Sequence, residues 1–433
     1  MSEQATGLDP SSMRPVQSKV ATTRRVAIIG GGVAGPVLAI FLRRAGFEVS
    51  VYEAMESASH QGGGLGLGCN GMRVLRAAGL EEELRAVSVV QGGWSMQDQR
   101  GRRIVDVSTD HMARYGIPSV LLARAQLHAV CLRGLRREGV AIHYGKQVVG
   151  LDDQVGSPVG LRFADGSSAE ADLVVAADGI RSSVRRLIMP DAPKPSYTGL
   201  LAPGGFSPCP PGRGIPVGAN SHMAMTLGQK GFFGMADVAT PEGPRTMWWS
   251  TAEGSLPDRE QERRLPLEQR KAALLRLHGD WPAPIPQLIE SATEILSFAI
   301  HDVPSLPRWS TGRVVLIGDA AHAVAPHSGQ GASMALEDAQ MLAKLLREDS
   351  DDLPATFACF ERERRPRTDR VIALGRKRGA QKHSHSRFAY WMQTTLLRLL
   401  LPIFARQPED WLYGYRVEQD DDQVKAERIQ SVA

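Results

Sequence analysis

Hydrophobic residues near the start of the chain follow a pattern that changes from strand to helix and back to strand. The apolar run from Val26 to Ile29 leads directly into three consecutive glycines. A short, uninterrupted run of this kind is typical of a buried parallel strand. Apolar residues then recur at helical spacing up to Gly46, after which "FEVSVYE" alternates between apolar and polar positions. The pattern predicts a strand–turn–helix–strand unit that ends at Glu53.

Two more buried strands are predicted further along, at Leu173 to Ala176 and at Val314 to Ile317. Residues 94–108 are expected to form a hairpin that turns at residues 99–101. From about Tyr197 to Ala299 the chain is rich in Gly and Pro, and its alternating runs predict antiparallel strands. These runs are "HMAMTL", "GFFGMADV" and "TMWWST". Helices are predicted at 258–278, from about Leu353 to Lys382, and at 387–405.

Composition places the chain among ordinary globular proteins. Of its 433 residues 42% are hydrophobic and 23% charged, and the net charge of +4 is too small to indicate nucleic-acid binding. The four cysteines are widely spaced, which favours a reduced, cytoplasmic setting. Residues 1–24 are rich in Ser, Thr, Gln and Pro and are predicted to be a disordered leader.

The glycines after the first strand match the dinucleotide-binding fingerprint. Gly30 allows the tight turn, Gly32 allows the backbone to approach a pyrophosphate, and Gly35 allows the helix to pack on the strand. Glu53 follows the second strand at the separation expected of an acid that binds ribose hydroxyls. We therefore predict an adenine dinucleotide at this turn.

Two later motifs indicate which dinucleotide is bound. "ADLVVAADGIRSSVR" contains Asp178-Gly179, and "GRVVLIGDAAHAVAPHSGQGASMALEDAQML" contains Gly318-Asp319 followed by Gly329 and Gly331. With the fingerprint, and in this order over about 300 residues, these motifs resemble those of the single-component FAD-dependent monooxygenases, the aromatic-ring hydroxylases of class A. The family commonly has Asn where this chain has Ser333, a residue that is still expected to cap the helix.

This resemblance implies an α/β protein with a Rossmann-like FAD-binding domain, a mostly antiparallel β-sheet substrate domain, and C-terminal helices. The implied division is a discontinuous FAD-binding domain at 25–92, 118–195 and 298–350, a substrate domain at 93–117 and 196–297, and a C-terminal helical segment at 351–433.

The resemblance also implies the cofactor contacts. Because no second fingerprint follows a strand, the Asp178 segment is expected to serve both FAD and NADPH or NADH, with Arg181, Arg185 and Arg186 providing positive charge. Arg124 is expected to contact the FAD chain. The expected cofactor-binding residues are Gly30, Gly32, Val33, Ala34, Gly35, Glu53, Gly63, Gly64, Arg124, Asp178, Gly179, Arg185, Gly318, Asp319, Gly329, Gly331, Ala332 and Ser333.

The implied reaction is the insertion of one oxygen atom from O2, through a flavin C4a-(hydro)peroxide, into an electron-rich organic compound, aromatic or polyketide-like. Pro326, His327 and Gly329 are expected beside the flavin ring, where His327 would orient substrate or exchange protons. His322 is interpreted as structural, and no metal is expected. About half of six apolar residues on the middle strands should line the pocket, the six being Met223, Met225, Phe232, Phe233, Trp248 and Trp249.

Several alternatives stay open at this stage. Epoxidation, Baeyer–Villiger insertion (including antibiotic inactivation) and a binding protein without redox activity remain beside ring hydroxylation. The apolar helix at 387–405 could pack on the body of the protein, lie on a membrane surface or join two copies. Either a monomer or a homodimer fits the sequence.

Overall fold

The computed structural model describes residues 24–58, 62–210, 218–256, 265–380, 386–404 and 409–417. The predicted leader up to residue 23, part of the predicted helix at 258–264, and the chain from 418 onward lie outside the described residues. The strands are β1 (Arg25–Ile29), β2 (Glu48–Tyr52), β3 (Gly64–Leu67), β4 (Val89–Asp98), β5 (Arg103–Ser108), β6 (Val120–Ala123), β7 (Ala141–His143), β8 (Val148–Asp152), β9 (Val159–Phe163), β10 (Ser168–Ala171), β11 (Leu173–Ala176), β12 (Ser196–Pro208), β13 (Asn220–Leu227), β14 (Gly231–Thr240), β15 (Gly243–Glu253), β16 (Ile295–Asp302), β17 (Ser310–Thr311) and β18 (Val314–Leu316).

The helices alternate with these strands in the first part of the chain and dominate its last part. They are α1 (Ala34–Arg44), α2 (Cys69–Ala77), α3 (Glu81–Arg85), α4 (His111–Tyr115), α5 (Arg124–Arg137), α6 (Ser183–Ile188), α7 (Leu267–His278), α8 (Ile285–Glu290), α9 (Asp319–His322), α10 (Gly331–Glu348), α11 (Leu353–Ala380), α12 (Arg387–Phe404) and α13 (Asp410–Tyr413), with a 3₁₀ turn at Pro326–Ser328.

A six-stranded sheet in the order β17-β18-β11-β1-β2-β7 forms the centre of the nucleotide-binding half. All of its strands except β17 are parallel, and β1, β11 and β18 are fully buried apart from the first residue of β1. Helix α1 packs against α5 and α10 beside this sheet. Parallel strands covered by helices must be apolar on both faces, which is why these strands could be read as continuous apolar runs.

A second sheet has the order β16-β12-β15-β14-β13-β4-β6-β3, and β5 pairs with β4. Its pairs are antiparallel except β13 with β4. The predicted hairpin is the β4–β5 pair. Strands β3 and β6 come from segments that the sequence division assigned to the FAD-binding domain, yet they pair within this sheet. The predicted fold class is confirmed, whereas the domain boundaries stay a proposal.

The last long helices pack on both halves. Helix α11 contacts α10 and the 3₁₀ turn, and α12 lies along β5. None of the helices in the described part of the chain has the length and apolar character that a membrane span requires.

Candidate functional site

The three predicted motifs follow three adjacent strands of the parallel sheet and meet at its carboxyl edge. The amide of Ala177 donates to the carbonyl of Ile29 at 2.7 Å, and the amide of Ile317 donates to the carbonyl of Ala176 at 2.9 Å. A Cβ placed on Gly318 would lie 3.9 Å from the Cβ of Ala34. The structure therefore brings together turns that are almost 300 residues apart in sequence, at the position where open α/β sheets bind ligands.

The glycines of the first turn are crowded at two positions and open at one. A Cβ on Gly30 (φ +113°) would lie 2.3 Å from the Ala177 carbonyl oxygen, and one on Gly35 would lie 2.0 Å from the Gly30 carbonyl oxygen. A Cβ on Gly32 would meet no protein atom within 4 Å. The Glu53 carboxylate accepts a hydrogen bond from the amide of Gly31 at 2.7 Å. The turn is thus fixed by packing on one side and left free on the side where a pyrophosphate would lie.

Substitution by alanine is predicted to affect stability at the crowded Gly35 and dinucleotide binding at the open Gly32. Gly35→Ala should lower the free energy of unfolding by about 3 kcal/mol, because the new methyl group overlaps a backbone carbonyl that cannot move independently. Gly32→Ala should change stability by less than about 1 kcal/mol but weaken dinucleotide binding about tenfold or more. Urea unfolding of the apoprotein and fluorescence titration with FAD would measure the two effects. Equal stability loss in both variants would contradict this prediction.

The carboxylate of Asp178 binds backbone amides at the start of helix α6, which follows it. Its Oδ2 accepts hydrogen bonds from the amides of Ser183 at 2.8 Å and Val184 at 3.2 Å. Its Oδ1 is buried and has no hydrogen-bond partner in the described part of the protein. A buried carboxylate oxygen without a partner is costly, so this atom marks a place where a ligand donor would be favoured.

Arg185 connects two of the motifs. Its guanidinium is buried, with Nη1 donating to the Ala320 carbonyl at 2.8 Å and Nη2 donating to the Ile180 carbonyl at 2.5 Å. The predicted contact of Arg185 with cofactor phosphates stays a prediction, and the geometry adds a bracing role between the Asp178 and Asp319 segments. Arg181 and Arg186 are exposed on the surface nearby.

Asp319 and Arg124 are close enough for their charges to interact. Asp319 is exposed, yet surrounding protein atoms desolvate its carboxylate enough to raise its pKa, which the charges of His322 and Arg124 partly oppose. Neither side chain forms a hydrogen bond to another of the described residues. The Arg124 amide donates to the Gly63 carbonyl at 3.0 Å, which fixes the loop before β3. Two opposite charges left unbonded in a cleft are suited to a polar ligand.

The segment after Asp319 presents an open backbone to the cleft. Pro326 and Gly329 are exposed, and a Cβ on Gly329 or Gly331 would meet nothing within 4 Å. The imidazole of His327 packs against α11, because a Cβ on Gly379 would lie 2.7 Å from its Cδ2. Its predicted role toward substrate stays a prediction.

The expected helix cap at Ser333 is wrong. Helix α10 begins at Gly331, two residues earlier, and Gln330 occupies the N-cap without a side-chain hydrogen bond to the helix. Ser333 is therefore inside the first turn with Ala332, and its buried hydroxyl has no partner in the described structure. A Cβ on Gly71 would lie 2.7 Å from that hydroxyl oxygen, so α2 packs closely at this point. The first turn of α10 therefore has no side-chain cap, which leaves its amides available to a ligand.

A buried charged network behind the site was missed by the sequence analysis. Asp338 accepts from the Gly318 amide at 2.8 Å, from His322 Nε2, and from Arg364 Nε at 2.7 Å. Glu337 accepts from Arg364 Nη1 and from Arg367, each at 2.7 Å. Burial alone would raise the pKa of Asp338, but the charges of His322 and Arg364 hold it well below its ordinary value. The network fixes the Gly318–Asp319 turn to α10 and α11, and the buried hydrogen bond of His322 to Asp338 agrees with its interpretation as structural.

The sequence contains the charged residues of this network, but their spacing does not show that they are buried. Adjacent acids on an otherwise apolar helix and arginines three residues apart on the next helix are compatible with surface pairs as well as buried ones. Only the packing of α10 on α11 places them together out of water.

The apolar residues of the second sheet divide between its two faces. Phe233 and Trp248 stack on each other and pack against α7 and α8. Met223 and Trp249 cluster with Val89 and Leu121 on the opposite face. Met247, which the sequence analysis did not select, is on this second face, and a Cβ on Gly64 would lie 2.1 Å from its sulfur. This face therefore contacts the start of β3 at Gly64, directly after Gly63.

Comparison with known proteins agrees with this geometry. Residues 23–374 match the family described as FAD binding domain. The chain is 31% identical over 385 residues to aurachin C monooxygenase/isomerase of Stigmatella aurantiaca, covering 87% of this chain and 94% of that protein. It is 33% identical over 412 residues to 3-amino-4-hydroxybenzoate 2-monooxygenase of Streptomyces platensis, covering 90% and 96%. The structure of Klebsiella pneumoniae HpxO with FAD and uric acid has the same fold, with TM-score 0.77, 24% identity, and 87% and 93% coverage.

The residues at the cleft fit FAD. The open glycine at position 32 leaves room for a pyrophosphate at the start of α1, and Asp319 can accept a hydrogen bond from a ribityl hydroxyl. The open backbone at Gly329 and Gly331 can approach the flat flavin ring. The positive end of the α10 dipole would stabilise negative charge on that ring. The unpartnered Asp178 Oδ1 supplies one more acceptor.

Proposed function

The chain belongs to the FAD binding domain family and is an FAD-dependent monooxygenase of the aromatic-ring hydroxylase type; on that basis we propose that it takes its electrons from NADPH or NADH and hydroxylates an electron-rich aromatic ring. Bound FAD supplies the activation of dioxygen. The observation that carries the proposal is the meeting of the Gly30, Asp178 and Gly318 turns at one sheet edge.

The chain's own residues bind the cofactor, orient it and exclude water. Asp319 and Arg124 are suited to fix the ribityl and phosphate parts of FAD, while the first turn of α10 stabilises negative charge on the ring. Met223, Met247 and Trp249 form an apolar wall on the sheet face that contacts the start of β3 at Gly64. Such a wall keeps water away from the reacting atoms, which limits wasteful release of hydrogen peroxide.

The substrate class follows from this wall and from the relatives. An apolar surface with an indole favours a flat ring, and one relative is named for a ring that carries amino and hydroxyl groups. We therefore favour a hydroxylated or aminated aromatic acid or a larger fused ring. Epoxidation and Baeyer–Villiger insertion remain the second choice.

The test uses the purified FAD-loaded protein and a panel of hydroxy- and amino-substituted aromatic compounds. A true substrate should accelerate NADPH or NADH oxidation and yield a product that gains one oxygen atom, labelled when ¹⁸O₂ is supplied. If every compound yields hydrogen peroxide alone and no labelled product, the hydroxylase proposal fails. A colourless protein that takes up no FAD would support a binding protein without redox activity instead.

Exposed Arg181 and Arg186 are proposed to bind the phosphates of the nicotinamide cofactor, because both follow closely after the Asp178–Gly179 turn. Replacing both by Ala should raise KM for NADPH about tenfold, with kcat changed little, since exposed ion pairs each contribute up to about 1 kcal/mol. Arg103→Ala, on an exposed hairpin, serves as the control. An unchanged KM for both NADPH and NADH would contradict this assignment.

The setting and assembly also remain proposals. The four cysteines are free thiols, which supports a reduced, cytoplasmic environment. Sedimentation of the FAD-loaded protein would decide between monomer and homodimer.

A further inference from the structure

Helix α12 carries a continuous exposed apolar face. Its members recur at helical spacing and each keeps between 42% and 69% of its surface exposed, although large apolar side chains normally pack away from water. We call this face the apolar stripe. It consists of Phe388, Trp391, Met392, Leu396, Leu399, Leu400, Ile403 and Phe404.

The other side of α12 is firmly attached to the body of the protein. Leu397 and Leu401 pack against the apolar residues of β5. The hydroxyl of Tyr390 donates to the carbonyl of Leu227 at 2.8 Å, and Arg398 forms an ion pair with the buried Asp98. The helix therefore has a fixed orientation, and the apolar stripe faces outward because the opposite side is already used.

The segment of the chain that carries the apolar stripe is basic. From Arg370 to Pro408 the sequence contains eight arginines and lysines and no aspartate or glutamate. Among these, Arg376 and Lys377 are exposed near the end of α11, and Arg387 is exposed at the start of α12. Asp98, the acid that contacts the helix, is buried and paired. An apolar face in a basic segment of the chain matches a surface that is apolar inside and anionic outside.

We propose that the apolar stripe binds the protein to the surface of an anionic phospholipid bilayer. The leucines, Ile403 and Phe404 enter the acyl boundary, Trp391 lies at the level of the headgroups, and the nearby cations attract phosphate groups. A contact between two copies through the stripe would be isologous, and it is the competing outcome that the test must distinguish. The helix lies in the plane of the interface and does not cross it.

The test is flotation of the full-length FAD-loaded protein with vesicles of phosphatidylcholine mixed with phosphatidylglycerol, compared with phosphatidylcholine alone. The protein should bind the anionic vesicles, and added salt should weaken that binding. The double variant Trp391→Glu/Leu399→Glu should bind at least about tenfold less, because two charged groups replace two apolar ones at the interface. FAD content and thermal unfolding of this variant should equal those of the natural protein, since both side chains are exposed.

Val155→Glu is the matched control, because Val155 is a fully exposed apolar residue on a turn between β8 and β9, outside the stripe. It should bind the anionic vesicles as the natural protein does. Absence of binding by the natural protein, or equal binding by the double variant, would overturn the proposal. It would also be overturned if the natural protein is a dimer that the double variant converts to a monomer, since the stripe would then join two copies.

Discussion

The Arg364→Met variant is expected to lose about 3–5 kcal/mol of its free energy of unfolding, which is the usual cost of removing one partner from a buried ion pair. Arg364 is fully buried and donates to Asp338 and Glu337, each at 2.7 Å. Methionine fills much of the volume but leaves two buried carboxylates with less positive charge around them. The loss should be visible as a lower urea midpoint for both the apoprotein and the FAD-loaded protein.

Arg362→Met is the control for this prediction, because Arg362 lies two residues earlier on the same helix with its side chain 69% exposed. It should change the free energy of unfolding by less than about 0.5 kcal/mol. The loss of unfolding free energy in Arg364→Lys should lie between those of Arg364→Met and Arg362→Met. Lysine keeps the positive charge, but it lacks the planar guanidinium that donates to both acids at once. A midpoint of Arg364→Met equal to that of Arg362→Met would show that the network does not stabilise the fold.

The Asp319→Ala variant is expected to bind FAD about ten- to a hundredfold more weakly, because a hydrogen bond to a charged group contributes about 1.5–3 kcal/mol. The free energy of unfolding of the apoprotein should not decrease. Desolvation raises the pKa of this carboxyl in the free protein, so the charged form is already costly there, and its removal should leave the apoprotein as stable as before or slightly more stable.

Fluorescence titration of the apoproteins with FAD would measure this effect, and Asp319→Asn would separate the loss of charge from the loss of the acceptor. Asn should retain part of the affinity because its carbonyl oxygen still accepts a hydrogen bond. If Asp319→Ala is purified with a full complement of FAD, Asp319 does not belong to the cofactor site.

Local patterns predicted many of the elements closely. The predicted strand from Leu173 to Ala176 is β11 with the same bounds, and the hairpin turn at residues 99–101 joins β4 to β5. Boundaries were less reliable where two signals compete. Ser333 was expected at the start of a helix because serine is a good cap, but the helix begins at Gly331, whose position is set by the turn before it.

Tertiary contacts decided what side chains do when their chemistry allows two roles. Arg185 has the charge to bind a phosphate, yet its guanidinium is directed at the carbonyls of Ile180 and Ala320. Phe233 and Trp249 both belong to apolar strands, but they lie on opposite faces of the sheet. Alternation in a strand tells which residues share a face, and only the packing of helices on that sheet tells which face is covered.

The sequence by itself determined the FAD-binding fold. Glycine turns and buried strands depend on local sterics and on hydrophobicity, which are properties of residues that are neighbours in the sequence. The tertiary structure alone decided how the Glu337–Asp338 pair is neutralised, since its arginine partners are about 27 residues away and meet it only after α10 and α11 pack. It also decided that the apolar stripe faces outward, because that outcome depends on which side of α12 β5 already covers.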